Sequence, residues 1–541
     1  MTHRLLPIAV IAGVAFFAGI VVGALHVPAE RSVAEDFGRA WERGDYRAMH
    51  GLLSDTARSR TPLARFTAAY RESAATATAL RVDVGDAGDP KDGVVSLPVS
   101  VRTRIFGTVR ATLQLPFDGG DAPRVDWRPE LTFPGVSAAQ RLDRQTRMPP
   151  RAAILARDGK PMATGPDRSS DIEGAGEIVG ELGPIPPEDR ARLRALGVPD
   201  DARVGTSGLE RAFQDKIAGR PGGTLSVGGR VIGRAAPRRG RAVRSTINPK
   251  LESATTTALA GRSGAVAVLN PRGEVLALSG VAFSGVGPPG STFKVITTVA
   301  ALEDRIVKLD DKFPVETAAT LEGVSLSNAN GESCGGSFEN SFAHSCNSVF
   351  APLGAKLGAK RLVETAEKFG FNEPPSIEGA KTSTLPPADQ VGDDLAVGST
   401  AIGQGKVQAS ALQMASIAQV IANRGVRIQP TLELGRRTKT VRVTTPAIAA
   451  TLRSLMVGVV QSGTGENAQI EGITVAGKTG TSELGGAGGQ NTPGNTDAWF
   501  LAFAPARAPR LAVGVVVFRG GAGGDAAAPI AREVLAAGLQ E

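Results

Sequence analysis

Histidine is scarce in this chain of 541 residues: His3, His26, His50 and His344 are the only four. No His, Cys, Asp and Glu grouping has metal-ligand spacing, so no metal and no cofactor is expected. A Ser-His-Asp triad would have to rest on His344 alone. Cysteine is scarcer still. Cys334 and Cys346, in SCGGSFENSFAHSC, are the whole complement; an oxidising compartment allows a disulfide between them without requiring it, and a packed thiol is the alternative. Aromatic residues make up 4% of the chain, and the net charge of +8 includes no Lys/Arg block interleaved with them. Only short runs occur, such as Pro237-Arg238-Arg239-Gly240-Arg241, which argues against a nucleic-acid partner and for a solvated surface attracted to anionic lipid or wall polymer.

Long apolar runs are also missing, with one exception. LLPIAVIAGVAFFAGIVVGAL, Leu5 to Leu25, carries no charge and is long enough to cross a bilayer as a helix. Arg4 and the amino terminus precede it, which weakly places the start of the chain in the cytoplasm. Val27-Pro28-Ala29 offers a small-residue ending for a cleaved signal peptide, but the run exceeds a usual signal core. The expectation is an uncleaved anchor over residues 1–29, single-pass at the cell membrane, with everything after about Pro28 outside the cytoplasm.

With 42% hydrophobic and 21% charged residues, the remainder reads as ordinary globular protein of about two to four domains. Val33, Phe37, Ala40 and Trp41 stand at helical spacing, and Tyr46, Met49, Leu52 and Leu53 mark a second helix. Strand alternation follows at Leu97, Val99 and Val101 and again at Val109, Ala111, Leu113 and Leu115. Residues 30–138 therefore read as a small α+β domain. From there to residue 245 the chain is rich in Gly, Pro and Arg with poor periodicity, apart from a helix in GTSGLERAFQDKIAG, and reads as an irregular extended module. Residues 246–541 read as one domain: strands over Ala265–Leu278 and Trp499–Phe518 enclose helical stretches such as Leu412–Ala422, and the chain closes on Ile530–Leu539. Two hairpins enclosing helices imply an antiparallel sheet covered by helices.

Within that last domain lies GVGPPGSTFKVITTVAALEDR, Gly285 to Arg305. Pro288, Pro289 and Gly290 bar an earlier helix start, so Ser291 opens the helix and Lys294 stands one turn on, sharing its face. Val295 to Leu302 is a profile for burial, and a buried lysine costs more than packing returns. An arbitrary S-x-x-K is more simply an N-cap followed by a snorkelling lysine. Two further motifs overturn that reading here: HSCNSVF contains Ser345-x-Asn347, and VAGKTGTSE contains Lys478-Thr479-Gly480-Thr481 at the end of a strand-like run, Ile473 to Ala476. Singly these are a helix cap and a tight turn. In the order S-x-x-K, S-x-N, K-T-G they form the signature of penicillin-binding proteins and serine β-lactamases.

The resemblance extends further. GTSGLERAFQDKIAGRPGG, RSTINPKLESATTTAL, GAVAVLNPRGEVLAL, AIGQGKVQASALQMASIAQVIANRG, MVGVVQSGTG and DAWFLAFAP resemble, in order, segments of class B penicillin-binding proteins over residues 140–541. Ser410 stands where threonine is expected, and the middle module is short for the class. Residues 30–138 resemble the NTF2-like extension of the methicillin-resistance type. The resemblance implies a multidomain α+β chain: anchor (1–29), NTF2-like domain (30–138), dimerisation or pedestal domain (139–245) and transpeptidase domain (246–541).

It also implies a site. Ser291 would be the nucleophile and Lys294 its base, neutral through burial and a second cation, Lys478. Ser345 would relay the proton, and Asn347 would bind a substrate amide and orient the lysine. Lys478, Thr479, Gly480 and Thr481 would hold the substrate carboxylate, with the N–H groups of Ser291 and Thr481 as the oxyanion hole. The implied function is a peptidoglycan DD-transpeptidase acting on D-Ala-D-Ala stem peptides and acylated by β-lactams, with a glycosyltransferase partner for glycan polymerisation. The alternatives are a β-lactamase-like hydrolase and a non-catalytic β-lactam sensor or scaffold.

Overall fold

The computed structural model describes residues 27–540 except 121, 171, 173, 283 and 485–492. The expected anchor, Leu5 to Leu25, lies outside the described residues; among those described, no helix is long and apolar enough to cross a membrane. The chain divides into two compact units.

The first unit takes Met1–Pro150, Pro184–Arg203 and Ala218–Gly240. The helical spacing around Phe37 and Trp41 yields helix α1, Ala29–Glu42, which buries Ala34, Phe37, Ala40 and Trp41. Tyr46–Gly51 forms a short helix whose N-terminus is capped by Asp45. Helix α2, Leu63–Ala77, buries Phe66 and Tyr70. The alternating apolar residues form the antiparallel strands β1 (Ala79–Val84), β2 (Val94–Thr103) and β3 (Thr108–Pro116). The register sets Leu97 against Leu113 and Val101 against Val109, so one face of the sheet is continuous apolar surface. That face joins Phe37, Phe66, Tyr70, Trp127 and Phe133 in one core. A second antiparallel sheet is built from β4 (Leu142–Arg147), β5 (Gly222–Val227) and β6 (Arg230–Ala235), in the order β6-β5-β4. The stretch 139–245, expected as one module, is thus divided: β4, β5 and β6 belong to this unit, whereas Arg151–Gly183 and Val204–Ile217 belong to the other. The physical reason is register: β5 returns to pair with β4 across the intervening residues, a pairing that local periodicity does not reveal.

The second unit takes Arg151–Gly183, Val204–Ile217 and Arg241–Glu541. Its main elements begin with helix α3 (Pro249–Leu259) and strands β7 (Gly264–Leu269) and β8 (Val275–Gly280). Helices α4 (Lys294–Glu303), α5 (Asn347–Leu357), α6 (Ala411–Ala422) and α7 (Pro446–Ser462) follow. Strands β9 (Ala476–Glu483), β10 (Thr496–Ala504) and β11 (Leu511–Val517) precede the closing helix α8, Gly523–Leu539. The five strands form one antiparallel sheet in the order β8-β7-β11-β10-β9. Because side chains alternate across a strand, Val266, Phe500 and Val513 pack in a core with Leu251 and Val534 of α3 and α8. Their neighbours Ala267, Trp499 and Leu501 pack in a second core with Phe293, Ile296, Phe350 and Met414. Helices on both faces explain why these strands read as unbroken apolar runs rather than as alternation. This arrangement matches the antiparallel sheet covered by helices expected for residues 246–541.

Ser291 lies in a 3-10 turn, Gly290–Phe293, that runs directly into the α-helix at Lys294, so it opens the helix as expected. Two local expectations change. Lys478-Thr479-Gly480-Thr481 lies inside β9 rather than at the end of a strand over Ile473 to Ala476, because pairing with β10 extends the strand to Glu483. The closing helix begins at Gly523 rather than near Ile530.

Candidate active site

Strand β9 is the edge of the five-stranded sheet, so one side of its backbone is free to face a cleft. The turn that carries Ser291 is pressed against that strand. A Cβ at Gly480 would lie 2.6 Å from Pro289 O and 3.0 Å from Thr292 N, and one at Gly290 (φ +53°) would lie 2.4 Å from Thr481 O. Only glycine allows these approaches. They set the half-buried Ser291 directly beside Thr481.

Lys294, the first residue of α4, is fully buried. Its Nζ lies 2.6 Å from Ser345 O, 2.6 Å from Asn347 Oδ1 and 3.1 Å from Ser345 Oγ. Lys478, also fully buried, reaches the same Ser345 Oγ at 2.9 Å and Thr479 O at 3.0 Å. One hydroxyl is therefore shared by two buried amines. Burial pushes the Lys294 ammonium well below the ordinary lysine range, and Lys478 adds to the shift. Burial also pushes Lys478 down to about 7. Desolvation disfavours the charged form, and a second cation disfavours it further. The faces of Phe350 and Phe342 lie 5.4 Å and 5.8 Å from the two Nζ atoms.

The S-x-N loop is held from two directions. Ser345 adopts φ +59°, a left-handed conformation that costs about 1–3 kcal/mol for a non-glycine residue. Cys346 is bonded to Cys334, which settles the pairing the sequence left open. Asn347 donates its amide to Ser327 O at 2.7 Å, leaving its carbonyl oxygen to Lys294.

The structure thus brings Lys294, Ser345, Asn347 and Lys478 into one hydrogen-bonded group and sets Ser291, Gly480 and Thr481 beside one another. Thr479 is placed differently: its hydroxyl pairs with Thr464 Oγ1 at 2.5 Å, and Thr481 Oγ1 accepts from Gly523 N at 3.3 Å. His344 is exposed and belongs to no triad. Sequence reasoning missed Thr464, Phe342 and Phe350. Thr464 lies in MVGVVQSGTG, already similar to a family segment, but a lone threonine in a glycine-rich turn gives no chemical signal. The phenylalanines read as core. Among the described residues no group of His, Cys, Asp and Glu could hold a metal ion.

Comparison with known proteins agrees with this geometry. The family described as "Penicillin binding protein transpeptidase domain" matches residues 264–536, half of the chain. The chain is 39% identical over 290 residues to the peptidoglycan D,D-transpeptidase PbpA of Mycolicibacterium smegmatis, covering 48% of this chain and 56% of the relative. It is 38% identical over 289 residues to PbpA of Mycobacterium tuberculosis, covering 49% of this chain and 57% of the relative. The matches to these two curated relatives thus span somewhat more than half of their length. The crystal structure of PBPA from M. tuberculosis superposes with a TM-score of 0.58 at 29% identity, covering 73% of this chain and 100% of that one. The two buried amines around Ser345, the turn of Ser291 packed on a K-T-G edge strand, and the match over residues 264–536 all fall in one domain, and the chain belongs to the penicillin-binding protein transpeptidase family.

Proposed function

We propose that this chain is a serine-type peptidoglycan D,D-transpeptidase. The observation that carries the reading is Lys294: fully buried, depressed in pKa, and bonded to acceptors none of which is a carboxylate. A lysine kept neutral at this position serves as a base, not as a structural ion. Ser291 Oγ attacks the carbonyl of the penultimate D-alanine while Lys294 takes the hydroxyl proton. The N–H groups of Ser291 and Thr481 hold the oxyanion. Collapse breaks the C–N bond, the departing D-alanine amine receives the proton by way of Ser345, and an ester remains on Ser291. An amine of a second stem peptide then attacks that ester, forming the cross-link and restoring the hydroxyl. Asn347 binds a substrate amide, and Lys478, Thr479, Gly480 and Thr481 receive the terminal carboxylate. A β-lactam enters the same way; solved complexes of M. tuberculosis PBPA include a ceftriaxone acyl-enzyme.

The wider assignment is the same kind of reading. Leu5 to Leu25 anchors the chain in the cell membrane with the catalytic domain extracytoplasmic, and a glycosyltransferase partner polymerises the glycan. Residues 30–138 serve as an NTF2-like extension, supported by helices packed on a three-stranded antiparallel sheet. Residues 139–245, although shared between the two compact units, contribute the pedestal, and residues 246–541 carry the chemistry.

The test is labelling of the full chain with a fluorescent penicillin, followed by peptide mapping. A stable adduct is expected on the peptide containing Ser291. Ser291→Ala abolishes it, and Lys294→Arg does so too, because a guanidinium stays charged and cannot take the proton. Labelling on another residue would end the assignment. An adduct that turns over within seconds would move the function to a hydrolase, and a protein that never labels would leave a non-catalytic scaffold.

A further inference from the structure

The two groups that would hold the oxyanion come from different elements, Ser291 from a tight turn and Thr481 from an edge strand, and one short segment touches both. Residues 403 and 404 leave the end of the helix Asp394–Ala401. Gly403 O accepts the N–H of Gly290 at 2.9 Å, one residue before the nucleophile. The approach is as tight as backbone permits: a Cβ at Gly403 (φ +76°) would lie 2.0 Å from Gly290 O and 2.9 Å from Phe293 Cβ. The next residue turns to the other side. Gln404 Nε2 donates to Thr481 O at 3.4 Å. In an antiparallel strand the N–H and C=O of one residue point to the same side. A Thr481 carbonyl bonded by Gln404 on the open edge of β9 therefore directs the Thr481 N–H to that same side, toward Ser291.

We propose that Gly403 and Gln404 are positioning residues for acylation, a brace that sets the spacing and direction of the two oxyanion donors. The inference rests on the transpeptidase reading above. Gly403 fixes the height of the Ser291 turn through Gly290, and Gln404 fixes the plane of the peptide that follows Thr481. Neither touches the reacting atoms. Their effect appears where negative charge develops, in the acylation rate constant, and not in the first non-covalent encounter. The segment is held independently of the brace, since Gly287 and Ala409 exchange two backbone hydrogen bonds, Gly287 N to Ala409 O at 3.0 Å and Ala409 N to Gly287 O at 2.8 Å. Loss of the Gln404 amide therefore leaves the loop attached.

The experiment follows acylation of the full chain by a chromogenic β-lactam in stopped flow, separating the dissociation constant of the initial complex from the acylation rate constant. Gln404→Ala is expected to lower the rate constant about tenfold while the dissociation constant stays within about twofold, as for a group that aligns rather than binds. Gln404→Glu, equal in shape but without the donor, loses at least as much. Gly403→Ala is expected to lose about a hundredfold, the scale of an ångström-sized misplacement. If that variant does not fold, the two Gln404 variants decide. Lys406→Ala, exposed on the same loop, serves as the unaffected control. Unchanged rate constants in both Gln404 variants overturn the brace, as does a loss confined to the dissociation constant or one that follows a fall in melting temperature. If wild-type protein is not acylated on Ser291, the transpeptidase reading fails and the brace with it. If wild type acylates and the Gln404 variants match it, the brace alone fails.

Discussion

The two compact units bury polar groups in opposite ways. In the first, the polar residues below the surface are hydroxyl-bearing: Ser54, Thr61, Thr78, Thr103 and Thr132, with the buried phenol of Tyr70, which accepts from Trp127 Nε1 at 3.2 Å and donates to Leu131 O at 3.2 Å. In the second, the interior holds Glu210, Glu252, Lys294, Arg427, Lys478 and Asp497. Every buried charged side chain among the described residues belongs to that unit. Burying an ionisable group is expensive and usually ends in a shifted pKa. A chain that concentrates this cost in one unit separates what is built for stability from what is built for chemistry. The separation is not complete, for Glu210 is held by Arg151 and Arg168 at 2.6 Å each, far along the chain from the S-x-x-K turn.

The largest effect that would sharpen this contrast is at Lys478. Lys478→Ala removes both the group proposed to hold the substrate carboxylate and the second cation that helps depress the pKa of Lys294. Acylation by a β-lactam is expected to fall by about 10²–10³-fold, the scale seen when one preorganised electrostatic donor is lost. The pH dependence should also move in a definite direction. Without Lys478 the depression of Lys294 is relieved, so Lys294 stays protonated to higher pH and the acid limb of the acylation profile shifts upward. Burial, the larger cause, remains, so the limb still lies below the ordinary lysine range. A limb that stays in place or moves downward would show that the two amines do not communicate.

Much of this architecture is legible in the order of the amino acids. The two hairpins of the second unit, the helix at Leu412 and the paired strands of the first all follow from periodicity, because each is a local pattern of period 2 or 3.6. The candidate site is legible as three motifs, since a spacing of three residues and a K-T-G strand each carry chemistry in sequence. What stays hidden depends on contacts between distant segments. The division of residues 139–245 turns on β5 pairing with β4, and Thr464 meets Thr479 only because the end of α7 approaches β9. Gly403 and Gln404 look like a loop glycine and a polar filler until Gly290 and Thr481 are set beside them.

Glu252 offers a second probe of the ionisable interior, read in stability rather than in rate. Its Oε2 accepts Leu278 N at 2.9 Å, its Oε1 is buried without a partner, and burial pushes the carboxyl up to about 8. An unfolded chain loses that proton near 4.5, so between those values the folded state alone retains it. Stability from this group is complete below the unfolded value and is lost as pH rises toward the folded one, at roughly 1.4 kcal/mol per pH unit. Glu252→Gln, similar in shape and always neutral, should match wild type near pH 4.5 and become progressively more stable than wild type toward pH 8. Urea denaturation at a series of pH values checks this, and parallel curves for the two proteins would show that Glu252 is ionised in the fold.

The smallest effect tests the first unit, where polar atoms are buried without charge. Tyr70 lies among Trp41, Phe66 and Trp127, with ring centroids 5.3, 4.9 and 6.4 Å away, and its hydroxyl is the acceptor for Trp127 Nε1 and the donor to Leu131 O. Tyr70→Phe keeps the ring and the packing and strands one buried donor and one buried acceptor, so the expected loss is about 1–3 kcal/mol of stability. Tryptophan fluorescence during denaturation reads it, because Trp41 and Trp127 both neighbour the ring. Below the unfolding transition, acylation of Ser291 should stay within about twofold of wild type, since nothing in the hydroxyl's bonding reaches the second unit. A Tyr70→Phe protein that folds normally yet acylates as slowly as Lys478→Ala would break the division between a unit kept for stability and a unit kept for chemistry.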